Sequence, residues 1–243
     1  MSRRRLAGRK TLPRAKGPWA LDSGGFTELS TYGGWTITVE RYIREVREYV
    51  AMIGKLSWVA QMDWMCEPWI LRKTGKTVAD HQRLTVENYI DLRTRAPDLP
   101  WVPVLQGWTI TDYWRHQEQF QRAGIDLAAL PVVGVGSVCR RQGTTSAGVI
   151  LATLASSRLR LHAFGMKVSG LKLSAGSVVS ADSLAWSYAA RRRPALPECQ
   201  GGHQSCQNCL LYALRWRARL HQTLDMPDPQ EPVIPGPQQG RLF

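Results

Sequence analysis

Six short apolar runs follow one another along the chain, and each stops at a polar residue or a glycine: 17–22, 58–62, 101–105, 131–133, 159–164 and 177–181. Runs of this length with such punctuation predict buried strands. Helix-period segments separate them. Val39, Ile43, Val46, Val50 and Ile53 lie on one helical face, and Gly54 closes that helix. Thr77-x-x-Asp80 predicts the start of a helix that ends before Pro97. Further helices are expected over about 111–123, with Tyr113 and Phe120 on one face, over 145–157, over 183–190 and over 207–221.

Strand alternating with amphipathic helix predicts a parallel sheet with right-handed crossovers, whose chemistry gathers at the carboxyl ends of the strands. Those ends carry Asp22, Asp63, Gln106, Gly134 with Gly136, Gly165 and Asp182. A doubly wound sheet uses one or two strand ends, whereas six occupied ends point to the mouth of a (β/α) TIM-like barrel. A complete barrel has eight strands. The fold expected is therefore compact, with the first strand truncated or absent.

Composition narrows the partner. The chain has 243 residues, ten tryptophans and 44% hydrophobic residues, enough for a substantial core, and a formal net charge of +13. That charge suits a polyanion, nucleic acid above all. It is clustered in residues 1–16, in Arg191-Arg192-Arg193 and in Arg215, Arg217 and Arg219. No apolar run is long enough for a membrane span and no secretory leader is visible, so a reducing cytoplasm is expected. Cysteines there suit metal better than disulfides. Cys199, His203, Cys206 and Cys209 give C-x3-H-x2-C-x2-C, a donor set for tetrahedral Zn2+ in a closed structural site, with His221 as the alternative fourth ligand. Cys66 and Cys139 read as packed thiols.

Three carboxylates and an amide at apolar strand ends need partners to offset burial. One of them could cap a helix, as Asp182 beside Ser183 could. Four suggest a polar planar ligand and a carboxylate that does chemistry. Paired carboxylates suit glycosidic bonds, one attacking the anomeric carbon and one moving the proton. With Phe26 available to cover a ring, the residues point to a base-exchanging enzyme acting on nucleic acid. A non-catalytic zinc-containing nucleic-acid-binding protein is the competing reading.

The ordered segments Leu21-Asp22-Ser23-Gly24-Gly25-Phe26, Pro103-Val104-Leu105-Gln106-Gly107, Val133-Gly134-Val135-Gly136, His162-Ala163-Phe164-Gly165 and Ser180-Ala181-Asp182-Ser183 resemble the motifs of tRNA-guanine transglycosylases over about residues 17–222. The short chain, with Asp63-Trp64-Met65-Cys66-Glu67-Pro68 and Val138-Cys139-Arg140-Arg141, is most similar to the compact DpdA-type branch that inserts 7-deazaguanines into DNA. The resemblance implies that Asp182 is the nucleophile and Asp22 the general acid and base. It implies that Asp63 and Gln106 read the base edge, that backbone at Gly134, Val135 and Gly136 meets its carbonyl, that Gly165 lines the pocket and that Phe26 stacks on the ring. It also implies a structural zinc after the nucleophile strand, DNA as substrate with tRNA as the alternative, a preQ0-like base, and a homodimer or helper proteins.

The domain organisation expected is a basic segment over 1–16, a barrel over 17–192, a zinc-binding segment with the last helix over 193–224, and a disordered tail over 225–243. Since residues 1–16 do not read as a strand, an open seam is expected beside the strand at 17–22.

Overall fold

The computed structural model describes residues 1–138, 145–166 and 168–224. Cys139, Arg140 and Arg141, and the tail expected to be disordered, lie outside the described residues. The chain divides into two compact units, Met1–Ser137 with Ser157–Arg160, and Val138–Ser156 with the chain from Leu161 on.

The first unit runs α1 (Arg3–Leu6), β1 (Trp19–Leu21), α2 (Gly25–Thr27), a π-helical turn at Glu28–Tyr32, α3 (Val39–Ile53), β2 (Leu56–Ala60), α4 (Pro68–Thr74), α5 (Val78–Arg95), β3 (Trp101–Val102), β4 (Val104–Leu105), α6 (Ile110–Arg122) and β5 (Val133–Val135). β1 pairs with β2, β2 with β3 and β4 with β5, all parallel. The single apolar run 101–105 serves both ladders. Pro103 splits it, and the proline carbonyl accepts the Gly134 N–H at 2.8 Å. A residue without an N–H is tolerated at such a break.

The helices form where periodicity predicts. α3 buries Tyr42, Ile43, Val46 and Tyr49, and Gly54 ends it at φ 70°, its N–H on the Val50 carbonyl. Each large side chain so buried contributes about 1.5–3 kcal/mol. α5 and α6 open on capping boxes, Thr77 with Asp80 and Thr109 with Asp112. Tyr113 and Phe120 of α6 are both buried.

The second unit runs α7 (Thr145–Ser156), β6 (Leu161–Ala163), α8 (Val168–Ser174), β7 (Ser180–Ala181), α9 (Ala185–Ala190) and α10 (Leu210–Thr223). β6 and β7 pair in parallel, with His162 opposite Ser180. The architecture is mixed α/β with parallel sheets and a Cys/His cluster near the C-terminal end. No helix among the described residues is long and apolar enough to cross a membrane.

One expectation fails. The edge of β1 away from β2 is not open, because the first residues lie along it. Asp22 N–H donates to the Met1 carbonyl at 2.8 Å, the Asp22 carbonyl accepts Arg3 N–H at 2.9 Å, and the Met1 ammonium reaches the Ala20 carbonyl at 2.7 Å. Ser2 and Asp22 form a parallel bridge. What holds this segment is charge rather than apolar pattern. The buried Arg3 guanidinium bonds Glu45 through Nε at 2.6 Å and Glu28 at 3.3 Å, while Arg4 adds a 3.0 Å bond to Glu28. Glu28 also accepts the Thr36 N–H and hydroxyl at 2.9 and 2.6 Å. A run of arginines reads as solvated in sequence, and its buried acidic partners are 25 and 42 positions away.

Candidate functional site

In the first unit, the strand ends bring together a buried chain of polar side chains. Asp63 follows β2. Its Oδ1 accepts the Ser23 hydroxyl at 3.1 Å, and its Oδ2 is hydrogen-bonded to the Gln106 side-chain amide. Gln106 follows β4 and is fully buried. Its far end meets the Ser137 hydroxyl at 2.7 Å, and that hydroxyl lies 2.9 Å from Glu67 and accepts the Cys66 N–H at 2.9 Å. Burial, and then the charge of Asp22, push the Asp63 carboxyl up to about 7, against the hydrogen bonds that favour its ionised form.

Glycines make room for this arrangement. A Cβ on Gly136 would sit 2.1 Å from Gln106 Nε2, so the amide occupies the space a side chain would take. Gly25 is less crowded: a Cβ there would sit 3.3 Å from Asp63 and from Trp35. Gly134 and Gly136 donate their N–H groups to Pro103 and Leu105 at 2.8 and 3.0 Å, and the Gly136 carbonyl accepts the Tyr113 hydroxyl at 2.7 Å. The N–H groups of these two glycines are therefore engaged in the sheet. Phe26 is 41% exposed and meets Trp69 edge to face at 6.0 Å.

Sequence reasoning missed the supports beneath. α5 turns polar side chains inward. His81 Nδ1 contacts the Met65 carbonyl at 2.6 Å, Gln82 donates to the Gln106 and Asp112 carbonyls at 2.8 and 2.7 Å, and the Thr85 hydroxyl accepts the Trp64 N–H at 2.9 Å. From α6, His116 Nδ1 accepts the Gln106 N–H at 2.8 Å. Burial lowers the His116 pKa to about 3, which keeps the ring neutral and so leaves one of its nitrogens able to accept. The signal available in sequence was Gln82 and Thr85 on an apolar helix face, where polar residues need partners.

In the second unit, Asp182 follows β7 with its side chain half exposed. Its Oδ1 accepts the Gly165 N–H at 2.7 Å and lies 3.6 Å from His162 Nε2. His162 Nδ1 contacts the Ser180 hydroxyl at 2.8 Å. Crowding would raise the Asp182 pKa, but His162 and the Gly165 N–H outweigh it and hold the carboxylate below its usual range. Gly165 thus orients Asp182. His162, which sequence reasoning treats as equally suited to a core role, faces the same carboxylate.

Further along the second unit, the ligand atoms of Cys199, His203, Cys206 and Cys209 lie within 4.8 Å of one another. The Cys199 and Cys209 sulfurs are 3.7 Å apart, and His203 Nε2 is 3.3 Å from the Cys206 sulfur. A tetrahedron with Zn–S bonds of about 2.3 Å has edges of about 3.8 Å, so the donor set fits zinc. His203 occupies the fourth position; His221 is buried on α10 outside the cluster. The Cys206 sulfur accepts the Leu196 N–H at 3.3 Å, and Ala190, Tyr212, Trp186 and Trp216 pack around it. The cluster ties α9 to the start of α10.

Taken unit by unit, the molecule has a buried cluster of hydrogen-bonded polar side chains at strand ends, a half-exposed carboxylate held below its usual range, and a zinc-type knot, all on a parallel α/β scaffold. The chain belongs to the DpdA family, DeoxyPurine in DNA protein A, whose family model matches residues 1–235. Membership makes it a DNA-modification protein of the transglycosylase type. No curated protein matches the chain.

Proposed function

We propose that this enzyme exchanges guanine in DNA for a 7-deazaguanine of the preQ0 kind through a covalent glycosyl-enzyme. Asp182 attacks C1′ of the deoxyribose, and the bond to guanine N9 breaks as Asp22 protonates the departing base. The incoming 7-deazaguanine loses its N9 proton to Asp22 and attacks C1′, and Asp182 leaves. Water in place of the base would give an abasic site, so a closed pocket favours exchange. Asp63 and Gln106 read the edge of the flipped base, Val135 and its flanking glycines border it, and Phe26 covers its face. A TIM-like barrel over residues 17–192 is the scaffold, and zinc held by Cys199, His203, Cys206 and Cys209 supplies structural closure only.

The observation that carries this reading is the state of Asp182: ionised, half exposed and aimed by Gly165 and His162, as a nucleophile must be and a helix cap need not be. The test is a denaturation-resistant protein–DNA adduct and release of radiolabelled guanine from DNA. Wild type gives both, and Asp182→Ala gives neither while still binding DNA. Exchange into tRNA alone would move the substrate to tRNA. Unchanged products in Asp182→Ala would remove Asp182 from the chemistry, and a wild type that binds DNA but gives neither product would leave a binding protein.

A further inference from the structure

Glu67, Ser137, Gln106 and Asp63 follow one another through three buried hydrogen-bond contacts, and the hydrogens of those contacts can be counted. Ser137 Oγ has one hydrogen and two lone pairs. It faces three groups: the Cys66 N–H, Glu67 Oε2 and Gln106 Oε1, at 2.9, 2.9 and 2.7 Å. The Cys66 N–H takes one lone pair. If both carboxyls were ionised, Ser137 would face two acceptors with one hydrogen. Turning the Gln106 amide over relieves Ser137 but sets Gln106 Oε1 against an Asp63 carboxylate. Either way one buried oxygen–oxygen contact lacks a proton, which costs free energy.

We infer that the chain holds one carboxylic proton, carried by Glu67 or by Asp63 according to which way the Gln106 amide is turned, and that Glu67 and Ser137 thereby set the face Gln106 and Asp63 show to a base. With the proton on Glu67, Glu67 O–H donates to Ser137, Ser137 to Gln106 Oε1, and Gln106 Nε2 to an ionised Asp63. With the proton on Asp63, Asp63 O–H donates to Gln106 Oε1, Gln106 Nε2 to Ser137, and Ser137 to an ionised Glu67. Each of the three contacts, Glu67 to Ser137, Ser137 to Gln106 and Gln106 to Asp63, then holds one hydrogen in both. The first arrangement offers Asp63 as an acceptor for the N–H donors of a guanine-type edge, and the second withdraws it. The count is made at the Ser137 oxygen and holds whatever else Glu67 touches.

Two further features agree. Ser137 is held at φ 56°, a left-handed conformation that a serine adopts at a cost and a glycine would not. Glu67, Gln106 and Ser137 are at most 2% exposed, so bulk solvent does not reach them. Among the described residues, the titratable groups around the chain are Asp22 beyond β1, Tyr42 from α3, the Cys66 thiol beside Glu67, His81 from α5, and Asp112 and His116 from α6.

The role in base selection rests on the reading of Asp63 and Gln106 given above, and the proton itself does not. Infrared spectroscopy of the protein without DNA tests the proton directly, with 13C-aspartate or 13C-glutamate labelling to assign the band. Wild type at pH 7 should show one buried protonated carboxyl. Glu67→Gln and Asp63→Asn should each abolish it, because either amide supplies the hydrogen the chain needs. A carboxyl protonated by burial alone would lose the band only in its own variant, and that result would overturn the inference, as would a wild type with no band. Ser137→Gly, which suits the left-handed backbone, should abolish the band too, and its persistence there would also count against the relay. Loss of guanine exchange with the band behaving as described would count against the proposed function and leave the relay standing.

Discussion

Gly136 and Asp63 show how single residues are committed to the pocket. Gly136→Ala should leave the fold intact, since its backbone is not left-handed, but push the Gln106 amide away from Asp63. A loss of at least about 100-fold in guanine release is expected, together with a lowered midpoint of thermal unfolding, because the buried amide loses its partners as well as its position. Asp63 has the opposite profile. Its folded pKa, raised to about 7, lies above the unfolded carboxylate value. Its protonated form is therefore favoured by folding, and the folded state loses stability as pH rises through that interval. Asp63→Asn should be more stable than wild type at pH 8 and about equal at pH 4, which urea unfolding across that range would read. The positions of Asp22, Asp63, Gln106 and Asp182 at strand ends were legible in the sequence because apolar runs stop there. Glu67 and Ser137 were not, since each sits in a loop whose partners come from distant segments.

Among the elements, the N-terminal segment gives the sharpest expectation. Arg3→Ala leaves the buried Glu45 without its main partner, takes one of two cations from Glu28, and should cost about 3 kcal/mol of unfolding free energy. Both carboxylates are held below their usual range: burial raises them, but Thr36 and Arg4 overcome it at Glu28, and Arg3 with Arg41 at Glu45. The clasp is thus intact above the ordinary carboxylate range and weakens as pH falls through the folded values. Sequence patterning found the long helices and both capping boxes because periodicity and Thr-x-x-Asp are local. Strand limits were less legible: β2 begins at Leu56 and β5 ends at Val135, since pairing partners rather than propensity decide where a ladder starts. The clasp was invisible because pairing between residues 3 and 45 leaves no periodic trace.

For the whole molecule, a net charge of +13 sets the expectation for DNA. If about five phosphates are neutralised, raising salt from 50 to 200 mM should weaken binding by roughly 100- to 1000-fold, as a log–log titration would show. A slope near zero would remove the electrostatic basis for the partner. Purified protein should release about one zinc ion per chain to a chromogenic chelator, and Cys206→Ser should lower that yield severalfold. All four donors of that knot fall between positions 199 and 209, so the loop closed around an ion is short and draws on no distant strand. Ion loading is therefore a local event, available as soon as this stretch is synthesised. Metal content then gives a local gauge: a variant altered at position 63, 137 or 182 that still carries its ion has kept the knot between positions 199 and 209.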